Sequence, residues 1–126
     1  MNSSDTREHV RRYFEATRSN DPEAWAGRFA PDAMVDDPVG DTVTGTEAIL
    51  ERGRSFMSSF RSVGLTESYA FANGAKAVAK WSGEGVTSDG ARATFEGINV
   101  FEFRDDGLIA RLEGYWSPAA MVTTPA

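Results

Sequence analysis

The sequence contains no cysteine, which excludes disulfides, thiolate metal sites and cysteine nucleophiles together. Histidine occurs once, at His9, with no second ligand near it in spacing, and it falls off the apolar face of its helix. It reads as a solvated residue, and no metal is expected. Lysine is confined to Lys76 and Lys80, and 13 bases face 19 acids, a net charge of -6. Clustered Lys and Arg are what phosphate binding needs, so neither nucleic acid nor an anionic membrane is an expected partner. No apolar run approaches the length of a membrane span. Met1-Asn2-Ser3-Ser4-Asp5 has neither a basic region nor an apolar stretch. No secretory signal is expected, and the expected compartment is the cytoplasm. No glycine-rich phosphate loop is present, and no cofactor is expected.

What is present suits one domain spanning residues 1–126: 40% hydrophobic and 25% charged residues, with a core large enough for one cavity. Asp5 can cap a first helix, with Glu8 completing a capping box. Val10, Tyr13, Phe14 and Thr17 then share one face. Asp21-Pro22 starts a short second helix carrying Trp25 and Phe29 one turn apart. Met34 to Asp37 reads as a short strand, and residues 40–45 as a loop. Thr46 can cap a third helix bearing Ile49, Leu50, Phe56, Met57 and Phe60, with Gly53 on its inner face.

Beyond Ser62 the period changes to two. Asn73-Gly74, Asp89-Gly90 and Asp106-Gly107 are hairpin signals separating four strands, about Val63–Ala72, Ala75–Val86, Ala91–Arg104 and Leu108–Ser117. Helices followed by an antiparallel meander predict an α+β fold, a cone-shaped curled antiparallel sheet covered by three N-terminal helices. In the third long strand Phe95, Gly97, Asn99, Phe101 and Phe103 alternate with Glu96 and Glu102, so the odd face is the core face. Asn99 is then an amide set among phenylalanines, and needs a partner from the protein or a ligand. In the last strand Leu108, Ala110, Leu112, Gly114 and Trp116 share one face, which turns Trp116 inward. Alternation does not decide whether Asp36 or Asp37 enters the core. The residues thus predict a carboxylate, the Tyr13 phenol, the Asn99 amide and the Trp116 indole converging on an aromatic interior.

These residues resemble a known family. Ala33-Met34-Val35-Asp36-Asp37-Pro38-Val39-Gly40 resembles the segment carrying the catalytic base in bacterial ketosteroid isomerases, members of the nuclear transport factor 2-like superfamily. Arg12-Tyr13-Phe14 is similar to the segment bearing the oxyanion tyrosine. Ile98-Asn99-Val100 aligns with the strand bearing the second oxyanion donor, an aspartic acid in the family. Gly114-Tyr115-Trp116-Ser117 resembles the segment that sets an aromatic ring against the ligand. The resemblance implies Asp37 as base, Tyr13 and Asn99 as oxyanion donors, and Trp116, Phe29, Phe56 and Phe101 as contacts for an apolar, steroid-like substrate. It implies a double-bond shift in a Δ5-3-ketosteroid or similar enone by proton transfer. It also implies a homodimer, for which the outward Ile98, Val100 and Tyr115 offer an apolar patch. The sequence departs from the family at Asn99 and at Phe29 and Gly53, where supporting tyrosines are often found. Other chemistries of the same cone remain alternatives: polyketide cyclase, dehydratase, hydrolase, or non-catalytic binding of an apolar ligand or a protein. Epoxide opening in relatives uses an inward arginine between two acids, and none of the inward strand positions is arginine.

Overall fold

The computed structural model describes residues 1–126. Helix α1 (Ser3–Thr17) buries Thr6, Val10, Tyr13, Phe14 and Thr17, the face its spacing predicts. Its cap is Asn2, not Asp5: the Asn2 Oδ1 accepts from the Asp5 amide at 2.8 Å, so the helix begins three residues earlier, almost a full turn. Helix α2 (Pro22–Ala26) is capped as expected by Asp21, which accepts from the Glu23 amide at 3.0 Å. It ends before Phe29, which instead opens strand β1 (Phe29–Asp36). The loop expected over 40–45 contains a short strand, β2 (Thr42–Thr44), paired with β1. Helix α3 (Thr46–Ser58) has Gly45 at its N-cap and no side-chain cap, so Thr46 is its first residue rather than its cap, and Phe60 falls beyond its end. The inward Gly53 is where a Cβ would stand 2.8 Å from the Trp25 ring, so α2 and α3 meet there.

The four long strands follow the predicted hairpins: β3 (Phe60–Asn73), β4 (Lys76–Thr87), β5 (Arg92–Phe103) and β6 (Ile109–Tyr115). One sheet runs in the order β2-β1-β6-β5-β4-β3. Its pairs are antiparallel except β1 with β6, which is parallel because β1 docks on the far edge of the meander. Register shifts within β3 near Ser62 and Ser68 bend the sheet into its curl. A further shift lies between Glu102 and Phe103, so Ile109 rather than Ala110 joins Leu112 in the core. The alternation read for the start of the last strand is therefore offset, whereas Leu112 and Gly114 face in as expected. On β5 the whole odd row, Ala93 to Phe103, is buried.

Strand β6 leaves β5 at the Ile98–Tyr115 pair, and a short C-terminal strand, β7 (Val122–Thr124), rejoins it at Thr94. The intervening residues swing off the sheet, with a 3-10 turn at Pro118–Ala120. Gly97 lies opposite this gap. A Cβ there would stand 2.5 Å from the Trp81 ring, 2.7 Å from the Tyr115 carbonyl and 2.8 Å from the Trp116 Cβ. His9 is not solvated as expected. Its ring packs on Phe103 at 6.1 Å, and Nδ1 lies 3.2 Å from an Arg28 nitrogen. Burial and Arg28 push its pKa below the ordinary value. No helix is long and apolar enough to cross a membrane.

Because a backbone carbonyl is among the obstacles, Gly97→Ala cannot be absorbed by one rotamer change. It is expected to cost about 1–3 kcal/mol of stability, measured by urea unfolding.

Candidate functional site

The open end of the cone encloses a cavity of about 530 Å³. Its inner wall is built from Tyr13, Trp25, Val35 and Trp81, and its mouth from Phe56 of α3, Phe60 and Phe95 of the sheet and Met121 of the C-terminal segment. The lining is chiefly apolar, and Asp37 and Arg52 are the charged groups set into its partly buried wall. A site of this kind suits an apolar molecule held by a few polar groups.

The two adjacent aspartates, which alternation left undecided, divide sharply. Asp36 Oδ1 accepts from the Gly40 and Asp41 amides at 2.8 and 3.0 Å, so Asp36 is the residue that closes the turn. Asp37 makes no such bond and points into the cavity. Its Oδ1 accepts from the Trp116 Nε1 at 2.6 Å. Gly114 lies directly under it: a Cβ at that position would collide with the Asp37 carboxyl. The following Pro38 is joined by a cis peptide bond. Burial pushes the Asp37 carboxyl above its ordinary value, with Asp36 adding to the effect. The Trp116 hydrogen bond and the Arg52 charge pull the other way.

Tyr13 is buried at the cavity floor. Burial first, then the Asp37 charge, push its phenol well above the ordinary value, so it stays protonated. Its oxygen accepts from Trp25 Nε1 at 3.3 Å, which leaves its own O–H free to donate. Asn99 is 1% exposed and lies behind Tyr13 and Trp81, one layer back from the cavity wall. Its Oδ1 accepts from Trp81 Nε1 at 3.0 Å, and its Nδ2 has no partner of good geometry. The amide nevertheless sits close enough to Tyr13 to favour the phenolate.

Trp116 and Phe56 line the cavity and meet edge to face at 5.9 Å. Phe29 and Phe101, expected as substrate contacts, do not line it. Both pack edge-on against Tyr13, at 6.2 and 5.1 Å, and fill the closed end of the cone behind it. The displacement of Phe29 follows from its place at the head of β1 rather than on α2. Trp25, Phe60, Trp81, Met121 and Arg52 line the site without having been singled out for it. The inward row Ala77, Ala79, Trp81 of β4 carried a signal for Trp81. Nothing in the spacing pointed to Met121 or Arg52. No group of three or more His, Cys, Asp or Glu side chains comes together as a metal site.

Comparison with known proteins places the fold in a family. The SnoaL-like domain family matches residues 10–112. The chain belongs to the SnoaL-like family. This SnoaL-like protein is also 35% identical to a steroid delta-isomerase of Nocardioides simplex, over 98% of its own length and 99% of the relative's. Among solved structures it resembles the epoxide hydrolase/cyclase-like enzyme SalBIII with a TM-score of 0.85, at 21% identity, covering 96% and 97% of the two chains. It resembles the Δ5-3-ketosteroid isomerase from Mycobacterium sp. with a TM-score of 0.79, at 24% identity, covering 95% and 98%. Both likenesses establish the nuclear transport factor 2-like cone.

The raised pKa of Asp37 has a consequence for stability. The folded state binds that proton more tightly than the unfolded chain, so the group's contribution is complete below the unfolded pKa. It is lost as pH rises through the folded one. At neutral pH the buried carboxylate is thus a net cost. Asp37→Asn, which keeps an acceptor for Trp116, should raise the melting temperature at neutral pH. The gain should shrink on acidification, and melts followed by circular dichroism from about pH 8 to about pH 4 check this.

Proposed function

We propose that this SnoaL-like protein is an isomerase that moves a C=C bond of a Δ5-3-ketosteroid or similar apolar enone by intramolecular proton transfer. The observation that carries the proposal is one carboxylate and one unspent phenol donor lining the same apolar cavity, with the Asn99 amide behind the phenol. Asp37 has a free oxygen and basicity raised by burial. Tyr13 has an uncommitted O–H, and the Asn99 amide lies close enough behind it to favour the phenolate. The near full-length likeness to a steroid delta-isomerase supports the same reading.

In this mechanism Asp37 removes the proton α to the carbonyl, and the negative charge moves to the carbonyl oxygen. Tyr13 donates to that oxygen as the dienolate forms, Asn99 supports the phenol from behind, and Asp37 returns the proton to the γ-carbon. Preorganised neutral donors in a site closed to bulk water lower the barrier most where charge develops. A carboxylate serves as base because desolvation and position compensate for its modest strength. Asn99 donates without needing a raised pKa, though its N–H is less acidic than the O–H of a carboxylic acid. Epoxide opening is less well supported. The arginine present, Arg52, comes from α3 and gives its Nη1 to the backbone carbonyls of Asp37 and Asp41 rather than standing between two carboxylates.

An ultraviolet assay with 5-androstene-3,17-dione tests the proposal. Asp37→Asn should lower turnover by about 10²–10⁴-fold while leaving binding of the phenolic dienolate mimic equilenin largely intact. Tyr13→Phe should cost about 10²–10³-fold. Asn99→Asp should hold or raise turnover, because burial among Phe95, Phe101 and Phe103 keeps the new acid protonated. Unchanged turnover in Asp37→Asn would remove the base from the mechanism.

We further infer a homodimer through the outer sheet face. Phe71, Val78 and Val100 stand in one cross-strand row, beside Tyr69, Lys80, Ile98 and Tyr115 in the next. Tyr69, Phe71, Ile98 and Tyr115 are 63%, 55%, 45% and 50% exposed. Such a face can meet its own copy across a two-fold axis. Light scattering at micromolar concentration should give the dimer mass, and Ile98→Asp with Tyr115→Asp the monomer mass.

A further inference from the structure

The arginine in the cavity wall touches no side chain of the proposed machinery, yet it is committed in an unusual way. Arg52 Nη1 donates to the Asp37 carbonyl at 3.0 Å and to the Asp41 carbonyl at 3.1 Å. Its Nη2 lies 3.3 Å from Asp41 Oδ2. The Arg52 side chain is 22% exposed, whereas that of Asp41 is 76% exposed, so the ion pair with Asp41 is the weaker part of the arrangement. The loop between those carbonyls is what turns the chain out of β1, and Asp36 closes it from within. We propose that Arg52 is a positioning residue for Asp37, stapling both ends of loop 37–41 to α3 and so fixing the direction in which the carboxyl enters the cavity.

A guanidinium suits this task because its planar fork can serve several acceptors at fixed angles, as an ammonium cannot. The contact goes to the carbonyl of Asp37 and not to its carboxylate. The base is therefore held without being paired, and its free oxygen remains available. The groups that face Asp37 are few: Asp36 on its own strand, Tyr13 from α1, Arg52 from α3 with Asp41 behind it, and the neutral Trp116 beyond β6. Arg52 is the one cation among them. It therefore sets the loop's geometry and also opposes the effect of burial on the carboxyl.

The rate consequence rests on the isomerase reading; the hold on Asp37 does not. Two readouts separate them. The Trp116 indole N–H is bonded to Asp37, so its NMR shift follows ionisation of that carboxyl in the absence of any substrate. Its resonance is assigned among the three tryptophans by Trp116→Phe. In Arg52→Met the indole titration should move to higher pH. In the enone assay kcat should fall about tenfold or more with KM little changed, the mark of a displaced reacting group. Arg52→Lys keeps the charge but loses the fork. Its titration should stay near that of the parent while kcat still falls. A folded Arg52→Met with the parent's titration and the parent's kcat overturns the proposal. Where the methionine variant does not fold, undiminished kcat in Arg52→Lys overturns it equally. If the parent turns over no enone, the isomerase reading fails, and the indole N–H shift of Arg52→Lys at a pH where Asp37 is ionised decides: an upfield move, marking a lost Asp37–Trp116 bond with the charge kept, supports the hold, and the parent's shift overturns it.

Discussion

A half-buried carboxylate with one side-chain hydrogen bond is the constraint from which the rest of this site follows. Asp37 is half-buried at the cavity wall, largely withdrawn from water, and receives in return the indole N–H of Trp116 at 2.6 Å. Full pairing with an arginine would have repaid the desolvation more completely, but it would have lowered basicity and occupied both oxygens. A single neutral donor stabilises the ion enough to keep it buried and leaves one oxygen unspent. The two residues come from distant parts of the chain, so their meeting depends on the pairing of β1 with β6. It depends equally on Gly114, since any side chain there would occupy the place of the carboxyl. The break between β6 and β7 has the same origin: only a chain that leaves the sheet after Tyr115 can lay Trp116 over Asp37.

The cone divides into a packed end and an open end, and the aromatic residues separate accordingly. Phe14, Phe29 and Phe101 surround Tyr13 with edge-to-face contacts at 5.1 to 6.2 Å. They hold the phenol rigidly, since each ring's edge meets another's face. Phe56, Phe60, Phe95 and Trp116 form a second group around the mouth. Both groups looked alike in the sequence, as apolar residues at helical or strand spacing. What separates them is depth along the cone, and depth depends on how strands from both halves of the chain stack. That is why Phe29 and Phe101 were expected to touch substrate and instead support Tyr13.

Period and turn chemistry made most of the fold legible. The three hairpin dipeptides stand at the observed turns, and the α1 face and the odd row of β5 are buried as their spacing requires. The departures have local causes. Asn2 competes successfully with Asp5 for the cap because it stands one turn before the first free amides. Ala110 is displaced by a register shift that no alternation rule anticipates. Arg52 was invisible because its partners are backbone carbonyls, which have no signature in side-chain pattern. The choice between Asp36 and Asp37 likewise turned on the loop amides that Asp36 collects.

Asn99 shows how a neutral amide can stand where the resemblance to ketosteroid isomerases implies an acid. Trp81 Nε1 is a donor only, so the atom it meets at 3.0 Å must be the amide oxygen. With Oδ1 committed there, Nδ2 is turned toward Tyr13 and away from any other acceptor. The indole thus orients the amide, and Gly97 leaves the room in which Trp81 lies. A protonated acid in the same place would satisfy the same indole through its carbonyl oxygen and present its O–H where the amide presents N–H. The scaffold around position 99 asks only for an acceptor on one side and a donor on the other. An asparagine meets that demand at every pH, whereas an acid meets it only while burial keeps it protonated. Substitution at this position therefore alters the strength of the donor without altering the hydrogen-bonding order of the core around it.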